Sequence, residues 1–374
     1  MRCDYFEAGR CDSCAWLEKP YSQQIREKEL ELHALLDAFD IETWCDPVVS
    51  DAAGFRNKAK MAVIGSAKGI VLGLINKKGE AVSLVACPLY PEPMQELLGY
   101  LQKWIGEAGV TPYRIDKKRG EAKFVLLTRS SAGEYMLRFV LRSREQLPRI
   151  EAALPQLQKA FPEITVVSVN IQPVHMARLE GEEEIFLSEA TRLREMFNDV
   201  PLYIRPKSFF QTNPAVASVL YATARAWRQE SGATRVWDLF CGVGGFGLHC
   251  ADDDTALTGI EIEPEAITCA TLSAKELGLN NIRFQALDSA GFAAQAGEAP
   301  ELVIVNPPRR GIGTELAGKL NQFAPGHILY SSCNAKSMAE DLNCMTKYRI
   351  KRVQLFDMFP HTAHYEVLAE LVLL

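Results

Sequence analysis

The stretch Asp238-Leu239-Phe240-Cys241-Gly242-Val243-Gly244-Gly245-Phe246-Gly247 decides the fold of this chain. It stands between a short apolar run and a helical stretch. Glycine lets the backbone turn tightly and approach a ligand where a side chain would collide. The stretch therefore predicts a nucleotide-cofactor loop after a parallel strand, although tight turns and helix packing also use glycine.

Short apolar runs and helical stretches alternate on both sides of this loop. The runs are Arg235 to Phe240, Ala256 to Glu261, Ile282 to Leu287, Leu302 to Val305 and Ile328 to Tyr330. This alternation predicts an α/β fold with a parallel, doubly wound sheet. Two later runs, Ile350 to Phe356 and Tyr365 to Leu374, have no helix-length spacer between them. We expect them to form a closing antiparallel pair at one side of the sheet.

The type of cofactor depends on the acidic residues at the strand ends. Glu261 ends the second run, about 20 residues after the loop, where a carboxylate can accept hydrogen bonds from a ribose. Nicotinamide dinucleotide and S-adenosylmethionine both fit this position. The spacing from Gly242 to Gly247 differs from the dinucleotide pattern G-x-G-x-x-G, and Asp238 can meet a cationic methionine group.

Chemistry at a base is indicated by the ends of the fourth and fifth runs. Asn306-Pro307-Pro308-Arg309 ends the fourth, where the prolines stop the strand. Asn306 offers a carbonyl and an amide to the edge of a nucleobase, and Arg309 can bind phosphate or carbonyl groups. Cys333, in Ser331-Ser332-Cys333-Asn334, follows the fifth run. A free cysteine is often only a small buried hydrophobe, but at this edge it is a candidate nucleophile.

Composition limits the classes of protein that remain. The chain has 374 residues, of which 48% are hydrophobic, so it has room for about two or three domains. We find no apolar stretch of membrane-spanning length and no signal-peptide pattern at the start, so we expect a cytoplasmic protein without membrane contact. Its ten cysteines should then be reduced. Nothing in the sequence implies a protein partner.

Charge is distributed unevenly along a chain of net charge -6. Two segments are basic: Gly54 to Lys78 with Arg56, Lys58, Lys60, Lys68, Lys77 and Lys78, and Arg114 to Arg144 with Arg114, Lys117, Lys118, Arg119, Lys123, Arg129, Arg138, Arg142 and Arg144. They indicate a local phosphate-binding face on an acidic body. The alternative is an ordinary solvated surface of strands and turns.

The pattern divides the chain into three parts. Residues 1–50 are predicted to form a Cys-rich region followed by a helix over Tyr21 to Phe39, and residues 206–374 form the parallel-sheet domain. Residues 51–205 are predicted to form a central mixed α/β domain. Its strands are predicted at Lys60 to Gly65, Gly69 to Ile75, Lys123 to Thr128, Met136 to Arg142 and Val166 to Val174, and its helices at Glu92 to Gly106 and Glu145 to Ala160.

Four cysteines form a candidate metal site. Cys11 and Cys14 make a C-x-x-C motif, Cys3 stands nearby, and Cys87, followed by Pro88, can be brought in by folding. Four thiolates can bind zinc or an iron-sulfur cluster, and the ligand type alone does not separate the two. The other cysteines apart from Cys333 are predicted to be packing residues: Cys45, Cys241, Cys250, Cys269 and Cys344.

Five motifs in chain order resemble the catalytic domain of the RNA uridine C5-methyltransferase family. They are Phe209-Phe210-Gln211-Thr212-Asn213, Asp238 to Gly247, Asn306 to Arg309, Ser331 to Asn334 and His361 to Glu366. The resemblance implies a class I S-adenosylmethionine methyltransferase fold for residues 206–374. The N-terminal cysteines and Phe55 to Lys60 resemble the branch that modifies 23S ribosomal RNA and carries a 4Fe-4S cluster. Many relatives begin with a small β-barrel RNA-binding domain, and we expect this chain to lack it.

The resemblance also implies roles for individual residues. Cofactor contacts are expected from Gln211, Asp238, Phe240, Gly242, Glu261, Asp288 and Asn306, with Asp288 on the adenine side. Uridine or RNA contacts are expected from Gln211, Asn306, Arg309, Lys58 and Lys60, and cluster ligation from Cys3, Cys11, Cys14 and Cys87. Several relatives carry Asp where this chain has Asn306. A role that depends on a charged carboxylate at this position in those relatives is therefore not expected of Asn306.

The implied chemistry explains the cysteine. Uracil C5 is a poor nucleophile, and addition of the Cys333 thiolate at C6 makes C5 able to attack the methyl group of S-adenosylmethionine. Glu366 is then the base that removes the C5 proton; His361 and His364 either assist or have structural roles. Two other functions stay open: amino-methyl transfer to a base, suggested by Asn306-Pro307-Pro308, and a non-catalytic iron-sulfur protein that binds RNA or senses redox state.

Overall fold

The computed structural model describes residues 1–66, 69–175, 179–295 and 299–374. Lys68, one of the predicted basic residues, lies outside the described residues. Backbone contacts divide the chain into two compact units. Met1–Cys14 and Ala52–Leu193 form the central unit, and Ala15–Asp51 and Arg194–Leu374 form the catalytic unit. No helix in these ranges is both long enough and apolar enough to cross a membrane.

Strands and helices alternate along most of the second half of the chain. The strands are β1 (Ile41–Trp44), β2 (Lys58–Ser66), β3 (Gly69–Ile75), β4 (Ala81–Ser83), β5 (Ala122–Arg129), β6 (Tyr135–Leu141), β7 (Ile164–Ile171), β8 (Glu183–Phe186), β9 (Leu193–Phe197), β10 (Val200–Ile204), β11 (Arg235–Leu239), β12 (Ala256–Glu261), β13 (Ile282–Ala286), β14 (Leu302–Val305), β15 (His327–Ser332), β16 (Tyr348–Phe356) and β17 (Glu366–Leu373). The helices are α1 (Asp4–Glu7), α2 (Tyr21–Leu36), α3 (Glu92–Glu107), α4 (Leu147–Ala160), α5 (Pro214–Ser231), α6 (Gly245–Cys250), α7 (Pro264–Glu276), α8 (Ser289–Gln295), α9 (Gly313–Phe323) and α10 (Ala335–Leu342).

The catalytic unit is built on one eight-stranded sheet with the order β1-β16-β17-β15-β14-β11-β12-β13. Neighbours from β15 to β13 are parallel, as the alternating pattern predicts. β17 runs antiparallel to both β15 and β16, which confirms the predicted closing pair. All four residues of β14 are buried, as expected of a central strand covered on both faces.

One strand of this sheet was not predicted. β1, from the N-terminal part of the chain, pairs in parallel with β16 and extends the sheet at that edge. Its run Ile41–Trp44 is too short to show a period, and only its pairing with β16 defines it as a strand. The helix α2 before it packs Leu32 and Leu36 into the core of the same unit.

The central unit is a mixed sheet with the order β4-β3-β2-β5-β6-β7-β8. The predicted strands and both predicted helices are present, with ends that differ by a few residues. α4 connects β6 to its parallel neighbour β7, and α3 packs beside it, with Trp104 Nε1 donating to the Ala153 carbonyl over 3.3 Å. Met61, Val125 and Leu137 face these helices and form the core with them.

Candidate active site

One cavity lies where the parallel strands of the catalytic sheet end. Its volume is about 530 Å³. Nine predicted site residues line it: Gln211, Phe240, Gly242, Glu261, Asp288, Asn306, Arg309, Cys333 and Glu366. The strand order reverses between β11 and β14, and open α/β sheets bind ligands outside the carboxyl ends of their strands at such a point.

The glycine-rich loop turns sharply between β11 and α6. Phe240 has a left-handed φ of 64°, which residues other than glycine seldom adopt. A Cβ atom at Gly247 would lie 2.7 Å from Asp238 Oδ2, and the Gly247 N–H donates to that oxygen over 2.8 Å. Glycine is therefore required at 247, and the strained Phe240 lies on the cavity wall, where such conformations often mark function.

Asp238 lies beneath this loop and does not line the cavity. Its Oδ2 accepts from Gly247, and its buried Oδ1 has no hydrogen-bond partner among the described residues. Burial raises the pKa of Asp238 to about 7; the Gly247 N–H opposes this shift and the charge of Glu261 adds to it. Because a buried carboxyl oxygen without a partner is uncommon, a cationic ligand group is a suitable partner for it.

Glu261 and Asp288 stand at the ends of neighbouring strands on one side of the cavity. Glu261 accepts from the backbone of Gly242 over 3.1 Å and of Ile262 over 2.8 Å, which fixes the carboxylate beside the loop. Asp288 accepts from the Gly291 N–H over 2.9 Å. Ile262 and Leu287 also line the cavity, and the exposed fractions of these large apolar residues are 65% and 43%. Sequence reasoning missed both, because a single apolar residue after a strand carries no pattern.

Cys333 follows β15 directly and is partly buried on the cavity wall. Burial raises the pKa of the Cys333 thiol, and the nearby Glu366 carboxylate raises it further. The Arg309 guanidinium acts in the opposite direction, through its charge and a hydrogen bond to the thiol. Arg309 is thus the cation that favours the thiolate, a role that the residues next to Cys333 in sequence cannot supply.

Glu366 begins β17, antiparallel to the strand that carries Cys333. Ser331 pairs with Leu368 and Ser332 with Val367, where the ladder ends; Cys333 and Glu366 are the next residues on either side of this last pair. Both line the cavity, and Glu366 is close enough for its charge to raise the pKa of the Cys333 thiol. Glu366 is almost fully buried, and burial raises its pKa to about 7, while a hydrogen bond from the Ser331 hydroxyl opposes the shift. A carboxyl with such a pKa can exchange a proton near neutral pH.

The loop that carries Arg309 is held to α10 at both ends. The Asn334 amide donates to the Arg309 carbonyl over 2.8 Å. Asp341 accepts from the backbone N–H groups of Ile312 over 2.8 Å and Gly313 over 3.0 Å, and from the Tyr330 hydroxyl over 2.6 Å. These contacts fix the backbone on both sides of Arg310, so they position the Arg309 side chain relative to Cys333.

The segment after β10 completes the cavity wall. Gln211 is buried and lines the cavity, and Phe209 stands at its wall with 73% of its surface exposed. Tyr221, on α5, also lines the cavity; burial raises the pKa of its hydroxyl, and the charges of Glu366 and Asp238 raise it further. Tyr221 was not predicted, because one tyrosine on an amphipathic helix looks like a core residue.

Known proteins resemble this chain over its whole length. The model of the tRNA (uracil-5-)-methyltransferase family matches residues 194–372. A 23S rRNA (uracil(747)-C(5))-methyltransferase RlmC from Shewanella loihica is 61% identical over 99% of both chains, and the RlmC of Vibrio cholerae is 59% identical over both full lengths. The chain belongs to this family of uracil C5-methyltransferases.

A solved structure agrees with this membership. The tRNA (uracil-54, C5)-methyltransferase of Pyrococcus abyssi, in complex with S-adenosyl-L-homocysteine, has a TM-score of 0.80 and 27% identity. The match covers 96% of this chain and 85% of that protein. The match therefore includes the central unit as well as the catalytic unit.

Two histidines of the family motif near Glu366 differ in environment. His361 is buried with a φ of 65°, and its backbone and ring contact the side chain of Gln24, at 2.8 and 3.3 Å. His364 is exposed and contacts the ring of Phe359. Neither lines the cavity, and the contacts of His361 with Gln24 hold the segment before Glu366.

The four candidate ligand cysteines lie close together in the central unit. Burial raises the pKa of Cys14 to about 12, and Cys87, Cys11 and Cys3 raise it further. Burial likewise raises the pKa of Cys87 to about 11, with Cys3 and Cys11 among its electrostatic neighbours. In the described ranges, however, no group of three or more His, Cys, Asp or Glu side chains is placed to hold a metal ion. The predicted iron-sulfur region is thus not confirmed.

Many cations of the two basic segments are already paired in the central unit. Arg138 is buried between Glu180 and Glu184, Arg142 pairs with Glu121, and Lys123 donates to Gln172. Lys58 is partly buried, and burial lowers its pKa, whereas Lys60 is exposed. Charge counted along the sequence therefore overstates the charge available to RNA.

Proposed function

We propose that this protein transfers the methyl group of S-adenosylmethionine to C5 of one uridine in 23S ribosomal RNA. The observation that carries the proposal is that Cys333 and Glu366, which follow and precede the last pair of the β15–β17 ladder, both line the wall of one cavity. The relatives at about 60% identity are named for this reaction. From this substrate we infer that the protein is cytoplasmic.

The cavity suits S-adenosylmethionine in three respects. The unpartnered Asp238 Oδ1 is a suitable acceptor for the methionine ammonium group, which would have to reach it past the loop. Glu261 stands where it can accept from the ribose hydroxyls, and the exposed Ile262 and Leu287 offer apolar surface to the adenine beside Asp288. Phe240, Gly242, Gln211 and Asn306 line the remaining wall. When bound, the cofactor supplies a methyl group on a sulfonium sulfur.

The reaction follows from the two opposed side chains. The Cys333 thiolate adds to uracil C6, and the electrons of the C5–C6 double bond move toward O4. C5 then takes the methyl group, and the methyl–sulfur bond breaks. Glu366 removes the C5 proton, the C6–Sγ bond breaks, and the double bond re-forms as Cys333 leaves as thiolate. Two adjacent ring carbons require two groups side by side, and Cys333 and Glu366 follow and precede the last pair of the β15–β17 ladder.

The first test replaces the nucleophile. Cys333→Ala should retain binding of S-adenosylmethionine and lose all transfer of labelled methyl groups to 23S ribosomal RNA, because no adduct can form at C6. Cys344→Ser, at a partly buried cysteine outside the cavity, is the matched control and should remain active. Formation of 5-methyluridine by Cys333→Ala would contradict the mechanism and favour methyl transfer without a thiol.

We infer that the target is the position corresponding to uracil 747, as in the names of the relatives. Its C6 must be reachable, so the nucleotide is flipped out or already unpaired. Mapping of 5-methyluridine in ribosomal RNA from cells lacking the gene should show one missing site. The native gene should restore it, and the Cys333→Ala gene should not.

We infer that Cys3, Cys11, Cys14 and Cys87 hold a 4Fe-4S cluster. The electrostatic effect of these thiols on one another requires them to be near neighbours. Zinc needs its four sulfurs about 2.3 Å from one ion, whereas thiolates around a four-iron cluster lie farther apart. The four cysteines supply the number of thiolates that such a cluster takes. Methyl transfer requires no electron, so its role is structural or in RNA binding.

Anaerobic purification with iron and sulfide analysis tests this assignment. The native chain should contain about four irons per protein by the four-thiolate stoichiometry of such clusters. Cys14→Ser should lose them, and Cys344→Ser should retain them. Stoichiometric zinc in place of iron and sulfide would overturn the assignment.

We also propose that a basic hairpin, residues 113–120, contacts the RNA backbone. Arg114 and Arg119 form an antiparallel bridge at its base, and Gly120 has a φ of 96° where a Cβ atom would lie 2.0 Å from the Pro112 carbonyl oxygen. Lys117, Lys118 and Arg119 are exposed and form no ion pair with a described residue. Unlike the paired cations on the strands, these three are available to phosphates.

A further inference from the structure

The Ser331 hydroxyl contacts the proposed base directly. Ser331 is buried in β15, and its Oγ donates to Glu366 Oε1 over 2.8 Å, with both groups out of contact with solvent. Among the described residues, no other group forms a hydrogen bond with the Glu366 carboxylate. Since Glu366 lines the cavity, the second carboxyl oxygen, Oε2, is the one left to act on a substrate.

Strand geometry places this hydroxyl beside both reacting side chains. Ser331 precedes Cys333 by two residues, and β15 ends between them at Ser332. Ser331 pairs with Leu368 across the ladder, which makes Glu366 its diagonal neighbour. One hydroxyl therefore ties the carboxylate on β17 to the strand that ends at the nucleophile.

The other groups around Glu366 cannot replace this contact. Tyr221 on α5 is close enough for the Glu366 charge to raise the pKa of its hydroxyl, but no hydrogen bond joins the two. Glu366 raises the pKa of the Cys333 thiol and Arg309 lowers it, but neither Cys333 nor Arg309 forms a hydrogen bond with the Glu366 carboxylate. A buried carboxylate with a single donor has no second contact to orient it.

We propose that Ser331 is the positioning residue of the base: its hydroxyl fixes Oε1 of Glu366 so that Oε2 faces uracil C5 in the ionised form. The inference rests on the proposed function. A hydroxyl donor favours the carboxylate over the neutral acid, which agrees with its lowering effect on the pKa of Glu366. Removal of the hydroxyl should therefore impair proton removal and leave the earlier addition step intact.

The test separates adduct formation from adduct breakdown in a single turnover. The substrate is 23S ribosomal RNA tritiated at uracil C5. Covalent protein–RNA adduct is measured on denaturing gels, and proton removal is measured by tritium release. In Ser331→Ala, the adduct should form within about twofold of the native rate. Tritium release should slow by about tenfold or more, as expected for removal of a hydrogen bond to a charged group.

The pH profile and a rescue variant distinguish positioning from structural support. The pH midpoint of tritium release should move upward in Ser331→Ala, and Ser331→Thr, which restores a hydroxyl, should bring rate and midpoint back toward the native values. Ser273→Ala, which removes a buried hydroxyl on α7, is the control for a change that affects stability alone. It should change neither release rate nor midpoint.

Each outcome bears on the inference separately from the proposed function. An unchanged rate and midpoint of release in Ser331→Ala, or an equal slowing of both steps, would overturn the inference. If Ser331→Ala does not fold, Ser331→Cys keeps the volume with a weaker donor and should give an intermediate release rate; a native rate in that variant would also overturn it. Absence of adduct with the native protein would instead refute the proposed function.

Discussion

At the residue scale, the site depends on a difference in pKa between two neighbouring ionisable groups, Cys333 and Glu366. Burial raises the pKa of Glu366 to about 7 and also raises the pKa of the Cys333 thiol, whereas Arg309 lowers only that of the thiol. The carboxyl therefore ionises at a lower pH than the thiol. Glu366 can therefore accept a proton near neutral pH, and the cationic Arg309 stabilises the Cys333 thiolate. These properties suit a reaction in which the thiolate adds first and the carboxylate removes a proton last.

Glu366→Gln should stop the reaction after methyl transfer. The amide cannot accept the C5 proton, so the methylated uridine should stay bonded to Cys333. We expect a covalent protein–RNA complex that retains labelled methyl groups and survives denaturing electrophoresis. The double variant with Cys333→Ala is the control and should show no complex. Turnover by Glu366→Gln at the native rate would contradict the assignment of the base.

The two steps should depend on pH differently. Because the pKa of Glu366 is raised to about 7, the ionised base is lost as pH falls through 7, and at pH 6 roughly one carboxyl in ten is ionised. Proton release should therefore rise with pH and level off above about pH 8. Adduct formation should continue to rise beyond that point, since the pKa of the Cys333 thiol lies above its ordinary value. Stopped single-turnover reactions over this range measure both, and identical profiles would contradict the assignment.

At the element scale, the loop between β14 and α9 is positioned by α10. Asp341 accepts hydrogen bonds from the backbone of Ile312 and Gly313, and Gly311 packs directly against it with a φ of 81°. A Cβ atom at Gly311 would lie 2.2 Å from Asp341 Oδ2. The loop conformation, and with it the approach of Arg309 to Cys333, thus depends on contacts with a helix later in the chain.

Gly311→Ala should disturb both stability and thiol reactivity. The left-handed φ and the clash with Asp341 should cost at least about 1 kcal/mol of unfolding free energy. Displacement of Arg309 should also raise the pKa of Cys333, measured by the pH dependence of alkylation. Gly318→Ala is the control: that glycine lies in α9 with no atom within 4 Å of the added Cβ, so it should stabilise by up to about 1 kcal/mol. Equal effects of the two changes would contradict this account of the loop.

At the scale of the whole molecule, a chain of net charge -6 must bind a polyanion through a small part of its surface. Arg138 and Arg142 of the central unit are paired with carboxylates, whereas Lys117, Lys118 and Arg119 of the basic hairpin are exposed and form no ion pair with a described residue. Counterion release by such unpaired cations provides affinity that decreases with salt.

Reversal of Lys117, Lys118 and Arg119 to glutamate should weaken RNA binding and flatten its salt dependence. The slope of log K against log salt should decrease by about 0.7–0.9 for each phosphate that the variant no longer neutralises. The control, Lys103→Glu with Lys159→Glu, reverses two lysines on α3 and α4 and should have a smaller effect. Filter binding at several salt concentrations measures the slopes. An unchanged slope in the hairpin variant would show that the hairpin does not contact the RNA backbone.

Most strands of the catalytic sheet could be predicted from the sequence, because each is a separate apolar run bounded by residues that end strands. β12 and β14 begin and end where predicted, and the antiparallel β16 and β17 follow from the missing spacer. β1, β4 and β8 were missed because strands of three or four residues show no period, and they exist only through their partners. Ile262, Leu287 and Tyr221 were missed for a similar reason: nothing local distinguishes them from surface or core residues.

The sequence by itself determined the order of the elements, the glycine loop and the type of each reacting group, since these depend on local steric and chemical properties of neighbouring residues. Only the tertiary structure decided which groups meet. The ladder between β15 and β17 brings the segments of Cys333 and Glu366 together, the loop tied to α10 brings Arg309 near the thiol, and burial raises the pKa of Glu366 to about 7. Strand pairing, burial and ion pairs involve residues that are far apart in the chain. Their effects on stability and pKa arise only when those residues come into contact in the folded protein.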